Sequence, residues 1–177
     1  MLKGEDIVVL LKLSGEGSGW TVRTLAEDTG IPRSVVHRAI KRLAEAGLFD
    51  ERRRRVNVAA AEEFLVHAVR YVFPAVTEGE SRGVPTAWAA EPLAQRIASP
   101  PQALPPVWAD ARGKERGLAL RPLHPAVVEA ARRDATLGGR LALVDAIRLG
   151  DARIRGEAAR LLRADLEYRA PRASRAA

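Results

Sequence analysis

Eight basic side chains lie between positions 33 and 55 of this chain. They are Arg33, Arg38, Lys41, Arg42, Arg52, Arg53, Arg54 and Arg55. A guanidinium group stays charged and presents a planar set of N–H groups that matches a phosphate or the edge of a guanine. Ser34 and His37 stand among these residues and offer further hydrogen bonds. Residue types of this kind favour the binding of a polyanion over catalysis.

Two short helices joined by a glycine turn are predicted to position the first of these residues. Thr21 is a good helix N-cap, Gly30 suits the left-handed end of a helix, and Pro32 suits the first position of the next helix. Three apolar residues of the second helix share one face and are predicted to be core residues: Val36, Ile40 and Leu43. By subtraction, six residues face outward: Arg33, Ser34, Val35, His37, Arg38 and Lys41.

A short hairpin is predicted to follow the second helix. Gly47 ends the helix, Leu48-Phe49 begins a strand, residues 50–53 form the turn, and residues 54–58 return with Val56 and Val58 on one face. Trp20-Thr21 is predicted to add a third strand. The hairpin tip carries four consecutive arginines. Such a density of like charge requires an anion, and a narrow minor groove supplies one.

The segment from Thr21 to Val58 resembles the winged helix-turn-helix domain of the isocitrate-lyase-regulator (IclR) and multiple-antibiotic-resistance-regulator (MarR) families. The resemblance is carried by GIPRSVVHR at 30–38 and LAEAGL at 43–48, and it extends over roughly residues 3 to 72. It implies a winged-helix fold, binding to double-stranded DNA and a prokaryotic source.

The resemblance also implies that the second helix enters the major groove. Arg33, Ser34 and His37 would then bond base edges, and Val35 would contact a thymine methyl group. Phosphate contacts are expected from Arg38, Lys41 and Arg42. The expected DNA-binding residues are twelve: Thr21, Arg33, Ser34, Val35, His37, Arg38, Lys41, Arg42, Arg52, Arg53, Arg54 and Arg55.

Positive charge is unevenly distributed along the 177 residues, whose formal net charge is +7. Residues 31–58 hold eight basic and three acidic groups, residues 59–120 hold six and seven, and residues 121–177 hold twelve and seven. This clustering favours a polyanion partner. The basic charge is also compatible with a plain solvated surface, where arginine runs are common, and with the codon bias of a GC-rich genome, which 25 Arg against 4 Lys indicates.

Catalytic, metal and cofactor chemistry find no support in the sequence. There is no cysteine, the three histidines fall on separate predicted elements, and no glycine-rich phosphate loop or serine nucleophile motif is present. We therefore predict that the protein is not an enzyme. No signal peptide and no apolar run of the roughly 18 residues that span a membrane are found, which predicts a cytoplasmic protein without a membrane partner.

The predicted fold class is mainly α with a small β wing, in four segments. Residues 1–72 form the winged helix-turn-helix domain, 73–125 a proline-rich connector, 126–169 a helical region suited to dimerisation, and 170–177 a frayed tail. Nine of the eleven prolines lie in 74–125, a density that disfavours long helices and central strands. The connector also contains tryptophans and leucines, so it is predicted to be ordered.

Within the connector, we predict a helix over 86–98 broken at Pro92, and a hairpin of Pro106–Ala109 with Gly117–Arg121. Helices are predicted over 3–13, 59–72, 125–135 and 137–149, and from an Asp151 N-cap to Tyr168. Two apolar stripes, Phe64–Val72 and Ile154–Leu166, are the expected surfaces of a homodimer. The first stripe would alternatively close the core of the winged-helix domain.

Three functions follow from these patterns. The first is a DNA-binding transcriptional regulator, a homodimeric repressor that reads a two-fold site. The second is an antitoxin-like or adaptor protein whose C-terminal extension binds a partner protein. The third is a regulator that senses a small-molecule effector through residues 73–125, where Trp88 and Trp108 would line a pocket or simply fill the core.

Overall fold

The structure is a computed structural model that describes residues 1–17, 19–100 and 102–169. Its first elements are α1 (Gly4–Leu13), α2 (Val22–Thr29), α3 (Arg33–Glu45), β1 (Phe49–Asp50) and β2 (Arg55–Val56). Helix α1 is buried along most of its length because its sequence is almost wholly apolar after Asp6. It packs across α2 and α3, so these three helices share one core.

The predicted helix pair is confirmed, with one correction. Thr21 Oγ1 accepts a hydrogen bond from the Thr24 backbone N–H at 3.1 Å, and Gly30 adopts a left-handed φ of 70°. Pro32 is the N-cap of α3 and not its first residue, since its backbone is extended with ψ at 142°. Its carbonyl accepts the first hydrogen bonds of α3, and the helix begins at Arg33.

The hairpin after α3 is shorter than predicted. Only Phe49↔Val56 and Asp50↔Arg55 pair across it. Val58 begins a helix and does not continue the strand, because the Asn57 side chain caps that helix at the Ala60 backbone N–H. Trp20-Thr21 does not form a third strand. The Thr21 backbone N–H is taken by Thr24 Oγ1 at 2.9 Å, so it cannot join a strand ladder.

A continuous helical segment follows the hairpin, as predicted. It consists of α4 (Val58–Glu63), a π-helical turn (Phe64–Ala68) and α5 (Val69–Val72). Leu65 and Val69 are fully buried within the chain, whereas Val72 is 46% exposed. The predicted stripe therefore packs internally for most of its length.

The proline-rich segment forms a small closed barrel of three strands, β3 (Thr77–Pro85), β4 (Pro106–Ala109) and β5 (Glu115–Leu120). β3 pairs antiparallel with both other strands, and β4 runs parallel to β5. The predicted antiparallel hairpin of β4 with β5 is therefore wrong, although both strands exist. A central strand is also present, because no proline interrupts residues 75–84.

Two glycines permit the close approach of the barrel strands. A Cβ atom on Gly83 would lie 2.1 Å from the Trp108 carbonyl oxygen, and one on Gly117 would lie 2.0 Å from that of Pro105. The predicted helix over 86–98 reduces to one 3₁₀ turn (Ala87–Ala89) followed by turns. It stops there because Ala90 returns to extended backbone with ψ at 156°, two residues before Pro92.

The C-terminal helices are α6 (Val127–Arg133), α7 (Ala135–Leu149) and α8 (Ala152–Arg169). Asp151 Oδ1 accepts from the Ile154 backbone N–H at 2.8 Å, which confirms the predicted cap. Helix α7 lies at the centre and packs against α1, α5, α6, α8 and the 3₁₀ turn. The apolar stripe of α8 is buried in the same core, so neither predicted dimer stripe is a free surface. The prediction of a frayed tail at 170–177 lies outside the described residues.

A buried carboxylate joins the barrel to α7. Asp145 accepts hydrogen bonds from Trp108 Nε1 at 2.6 Å and Thr86 Oγ1 at 2.9 Å, and pairs with Arg148 at 2.6 Å. Burial raises the pKa of Asp145, against these three partners, which stabilise the charged form. Trp108 is 1% exposed and fills the core between the barrel and α7, the second of the two roles expected for it.

Candidate nucleic-acid interface

The outer face of α3 carries an unbroken set of polar and charged side chains. Five of the six residues expected to face outward are exposed: Arg33, Ser34, His37, Arg38 and Lys41. The opposite face is buried and holds Val36, Ala39, Ile40 and Leu43. Val35 is half-buried and packs against the core, so it is less available for a thymine methyl group than its spacing predicted.

α3 and the hairpin enclose a common groove of about 280 Å³. Its lining comes from three parts of the chain: Trp20, Thr21 and Val22; His37 and Ile40; and Phe49, Glu51 and Arg54. His37 of the helix and Arg54 of the hairpin therefore face one space. A helix and a hairpin placed in this way can address the major groove and the adjacent backbone of one duplex.

The family comparison matches this part of the chain. Residues 7–51 match the model of the IclR helix-turn-helix domain. This segment is a helix-turn-helix DNA-binding domain of the IclR type. The match runs from α1 to the hairpin turn and ends before β2. No curated protein and no solved structure is significantly similar to the chain.

Arg54 holds the hairpin after α3, which is the predicted wing, against the helical core. The guanidinium carbon of Arg54 lies 4.3 Å from the ring centroid of Trp20, and Nη2 donates to the Trp20 carbonyl at 2.8 Å. Trp20 in turn meets the Phe49 ring edge-on at 5.8 Å. Arg54 adopts a positive φ of 51°, which turns the chain at the hairpin tip. The contacts of Arg54 with Trp20 therefore order the hairpin.

Arg53 shapes the same turn through Asp50. The Arg53 backbone N–H donates to Asp50 Oδ1 at 3.0 Å, and the two side chains lie 3.7 Å apart. The hydrogen bond from Arg53 is the main cause that lowers the pKa of Asp50. Arg52 and Arg55 are exposed, and the part of the chain that the structure describes gives neither of them an ion pair. They are the wing cations most available to an outside anion.

Arg42 belongs to the interior of the domain and not to its outer face. Its Nε and Nη2 atoms donate to the two carboxylate oxygens of Asp6 at 2.8 and 2.6 Å, and Nη2 also reaches Glu5 at 3.2 Å. The Asp6 side chain is fully buried. The hydrogen bond to Asp6 raises the pKa of Arg42. The expected phosphate contact by Arg42 is therefore corrected, since this side chain fastens α3 to α1.

The remaining expected residues fall into two groups. Thr21 is exposed, but its hydroxyl oxygen caps α2 by accepting from the Thr24 backbone N–H. A contact between Thr21 and DNA would therefore lie at the N-terminus of α2. Arg38 and Lys41 are exposed and have no ion-pair partner among residues 1–17, 19–100 and 102–169. Arg33 has one weak contact, with Glu27 at 3.7 Å. The surface is therefore rich in cations that no carboxylate neutralises.

Two contacts beside this surface do not follow from the sequence pattern. Trp20 is predicted to lie in a strand, but it supports Arg54 instead. Arg133 of α6 donates from Nη1 to the Glu27 carbonyl at 2.7 Å, beside the turn between α2 and α3. No local signal predicts a contact across 106 positions, because it depends on how the C-terminal helices pack.

Two kinds of feature are absent from the part of the chain that the structure describes. Within it there is no cluster of three or more metal-ligating side chains, and no helix that is long and apolar enough to cross a membrane.

Proposed function

We propose that this chain is a sequence-specific regulator of transcription that binds double-stranded DNA as a homodimeric repressor in the cytoplasm of a prokaryote. One observation carries the proposal: an IclR-type domain whose recognition helix presents an exposed polar face to a groove shared with a basic wing. Cations left without carboxylate partners on such a face favour phosphate as their ligand.

The proposal divides the exposed residues by role. Arg33, Ser34 and His37 lie on the first turns of α3, where side chains reach base edges in the major groove. Arg38 and Lys41 follow on the same helix and would hold phosphates. Arg52 and Arg55 would do so from the wing. Residues 1–72 would form the DNA-binding unit, with 73–169 supporting it.

The homodimer and the repressor role rest on general argument. One winged helix reads a short half-site, which rarely gives enough specificity for a genome, and a two-fold dimer doubles the contacts. A dimer that only occupies its site represses by excluding other proteins from that DNA.

Salt dependence of DNA binding tests the proposal. If about four side chains per protomer neutralise phosphates, the logarithm of affinity should fall against the logarithm of salt concentration with a slope of about −3.6 per protomer. Fluorescence anisotropy with a labelled duplex measures this slope. The double variant Arg38→Ala/Lys41→Ala should reduce the slope by about 1.8.

Arg116→Ala is the matched control, because it removes an exposed barrel cation that lies outside the matched domain and pairs with Glu80 at 3.1 Å. It should leave the slope unchanged. A folded protein that does not bind duplex DNA at low salt would refute the regulator and would favour the adaptor function, in which the C-terminal extension binds another protein.

A further inference from the structure

The last residue of α6 lies beside the helix-turn-helix turn. Arg133 Nη1 donates to the Glu27 carbonyl at 2.7 Å, and it is 3.9 Å from the position that a Cβ atom would take on Gly30. The Glu27 carboxylate is itself 3.7 Å from Arg33 Nη2. Arg133 and Arg33 therefore flank the same residue at the entrance to α3.

The position of Arg133 is held from several directions. Its Nε lies 3.4 Å from Glu129 on its own helix, and α6 packs against α2. The next residue, Asp134, pairs with Lys12 at 2.9 Å, and the same Lys12 ammonium reaches Asp28 of α2 at 3.1 Å. Arg133 is thus bonded directly to Glu27, and Asp134 is connected to Asp28 through the Lys12 ammonium group.

The Lys12 ammonium group stays charged across the physiological pH range. Burial opposes the charge on Lys12, but the hydrogen bonds that its ammonium group donates to Glu16, Asp134 and Asp28 outweigh this effect and raise its pKa. The fastening of α6 and α7 to α2 is therefore maintained across the physiological pH range. The backbone of Arg133 is consequently held at a fixed place beside α2.

Arg133 retains capacity for another ligand. Its side chain is 47% exposed. Nη1 and Nε are engaged, whereas Nη2 has no hydrogen-bond partner in the described ranges of the chain. An N–H group that points from a partly exposed guanidinium beside the start of a recognition helix is well placed for a phosphate oxygen.

We propose that Arg133 is an additional phosphate-contacting residue, through which the C-terminal half of the chain completes the DNA interface. This inference rests on the proposed function, because the ligand is a backbone phosphate of the duplex that α3 reads. It adds one contact beyond the IclR-type domain, from a residue 82 positions after the end of the match at 51. The expected contact is indifferent to base sequence.

The test compares Arg133→Gln and Arg133→Lys in the full chain. Glutamine keeps an N–H donor for the Glu27 carbonyl but removes the charge, and lysine keeps the charge but loses the planar geometry. Anisotropy titrations at several salt concentrations should show a slope reduced by about 0.9 for Arg133→Gln and unchanged for Arg133→Lys. Preferred and scrambled duplexes should be affected by the same factor.

A purely structural role would give a different result. If Arg133 only supports the turn, Arg133→Gln would weaken binding without changing the salt slope, and this outcome would overturn the inference. Arg116→Ala, the loss of one charge on the barrel, is the control and should leave the slope as in the wild type. If wild-type protein itself shows no salt-dependent binding, the proposed function fails first. If the wild type binds steeply and Arg133→Gln has the same slope, only the role of Arg133 fails.

Discussion

Four neighbouring arginines on the wing have two different roles. Arg54 stacks on Trp20 and bonds its carbonyl, and Arg53 closes the turn through Asp50. Arg52 and Arg55 extend into solvent. The sequence shows four identical side chains and predicts a single charged tip. Which arginines order the hairpin and which extend into solvent depends on the position of Trp20. The local sequence does not reveal this, because Trp20 is 34 positions from Arg54.

We predict that the two pairs respond differently to substitution. Arg52→Ala/Arg55→Ala should reduce the salt slope of DNA binding by about 1.8 and weaken all duplexes alike. It should leave the free energy of unfolding unchanged within about 0.5 kcal/mol, since both residues are exposed. Arg54→Ala should instead lower the free energy of unfolding by about 1 kcal/mol, because it loses a cation–π contact and a hydrogen bond.

Urea denaturation and anisotropy titration on the same samples separate these effects. A loss of stability for Arg52→Ala/Arg55→Ala that matches the loss for Arg54→Ala would contradict the division of roles.

At the scale of elements, local signals predicted the helix-turn-helix well and the barrel poorly. The caps of α2, the left-handed Gly30 and the buried face of α3 each follow from residues within one or two turns. β3 has no such signal, since Gly79, Ser81 and Gly83 alternate along it where apolar residues would mark a strand. The parallel arrangement of β4 and β5 follows from the pairing of both with β3, which no turn residue could reveal.

The faces of the helical stripes were predicted correctly, but the core of the chain covers them in place of the expected second copy. For Phe64–Val72, the core was the alternative cover. Leu65, Val69 and the stripe of α8 are buried, as an apolar periodicity requires. The periodicity of apolar residues indicates which face of a helix is buried, but not which surface it packs against. Here both stripes pack against the rest of the same chain. Exposed apolar side chains remain where α5 leads to β3: Tyr71 is 74%, Val72 46% and Val76 40% exposed.

We expect the proposed homodimer to cover this exposed segment. Multi-angle light scattering of the full chain at micromolar concentration should give twice the mass of one chain. Tyr71→Glu/Val76→Glu should shift the protein towards the monomer, because burying two carboxylates in an interface is costly. The matched control Glu78→Gln changes an exposed residue of β3 that pairs with Arg121, and it should leave the mass unchanged. A wild-type monomer would contradict the dimer.

At the scale of the whole molecule, α7 connects the DNA-binding helices to the barrel. It packs against α1 and α5, which lie within residues 1–72, and against the 3₁₀ turn and α8, which come later in the sequence. Arg140 of α7 donates a hydrogen bond to the Leu11 carbonyl at 2.8 Å. Asp145 of the same helix accepts hydrogen bonds from the side chains of Trp108 and Thr86. Helix α1, on which α3 packs, is thus bonded to a residue 129 positions from Leu11, so the support of α3 does not follow from its local sequence pattern alone.

The central claim is that the exposed face of α3 reads base sequence. The most direct measurement first selects a preferred duplex from a random pool with the wild-type protein. It then compares the affinities of wild type, Arg33→Ala and His37→Ala for that duplex and for a scrambled one. Each substitution should cost about 1–3 kcal/mol on the preferred duplex and much less on the scrambled duplex. Failure to select any preferred sequence, or equal losses on both duplexes, would contradict the assignment of α3 as the recognition helix.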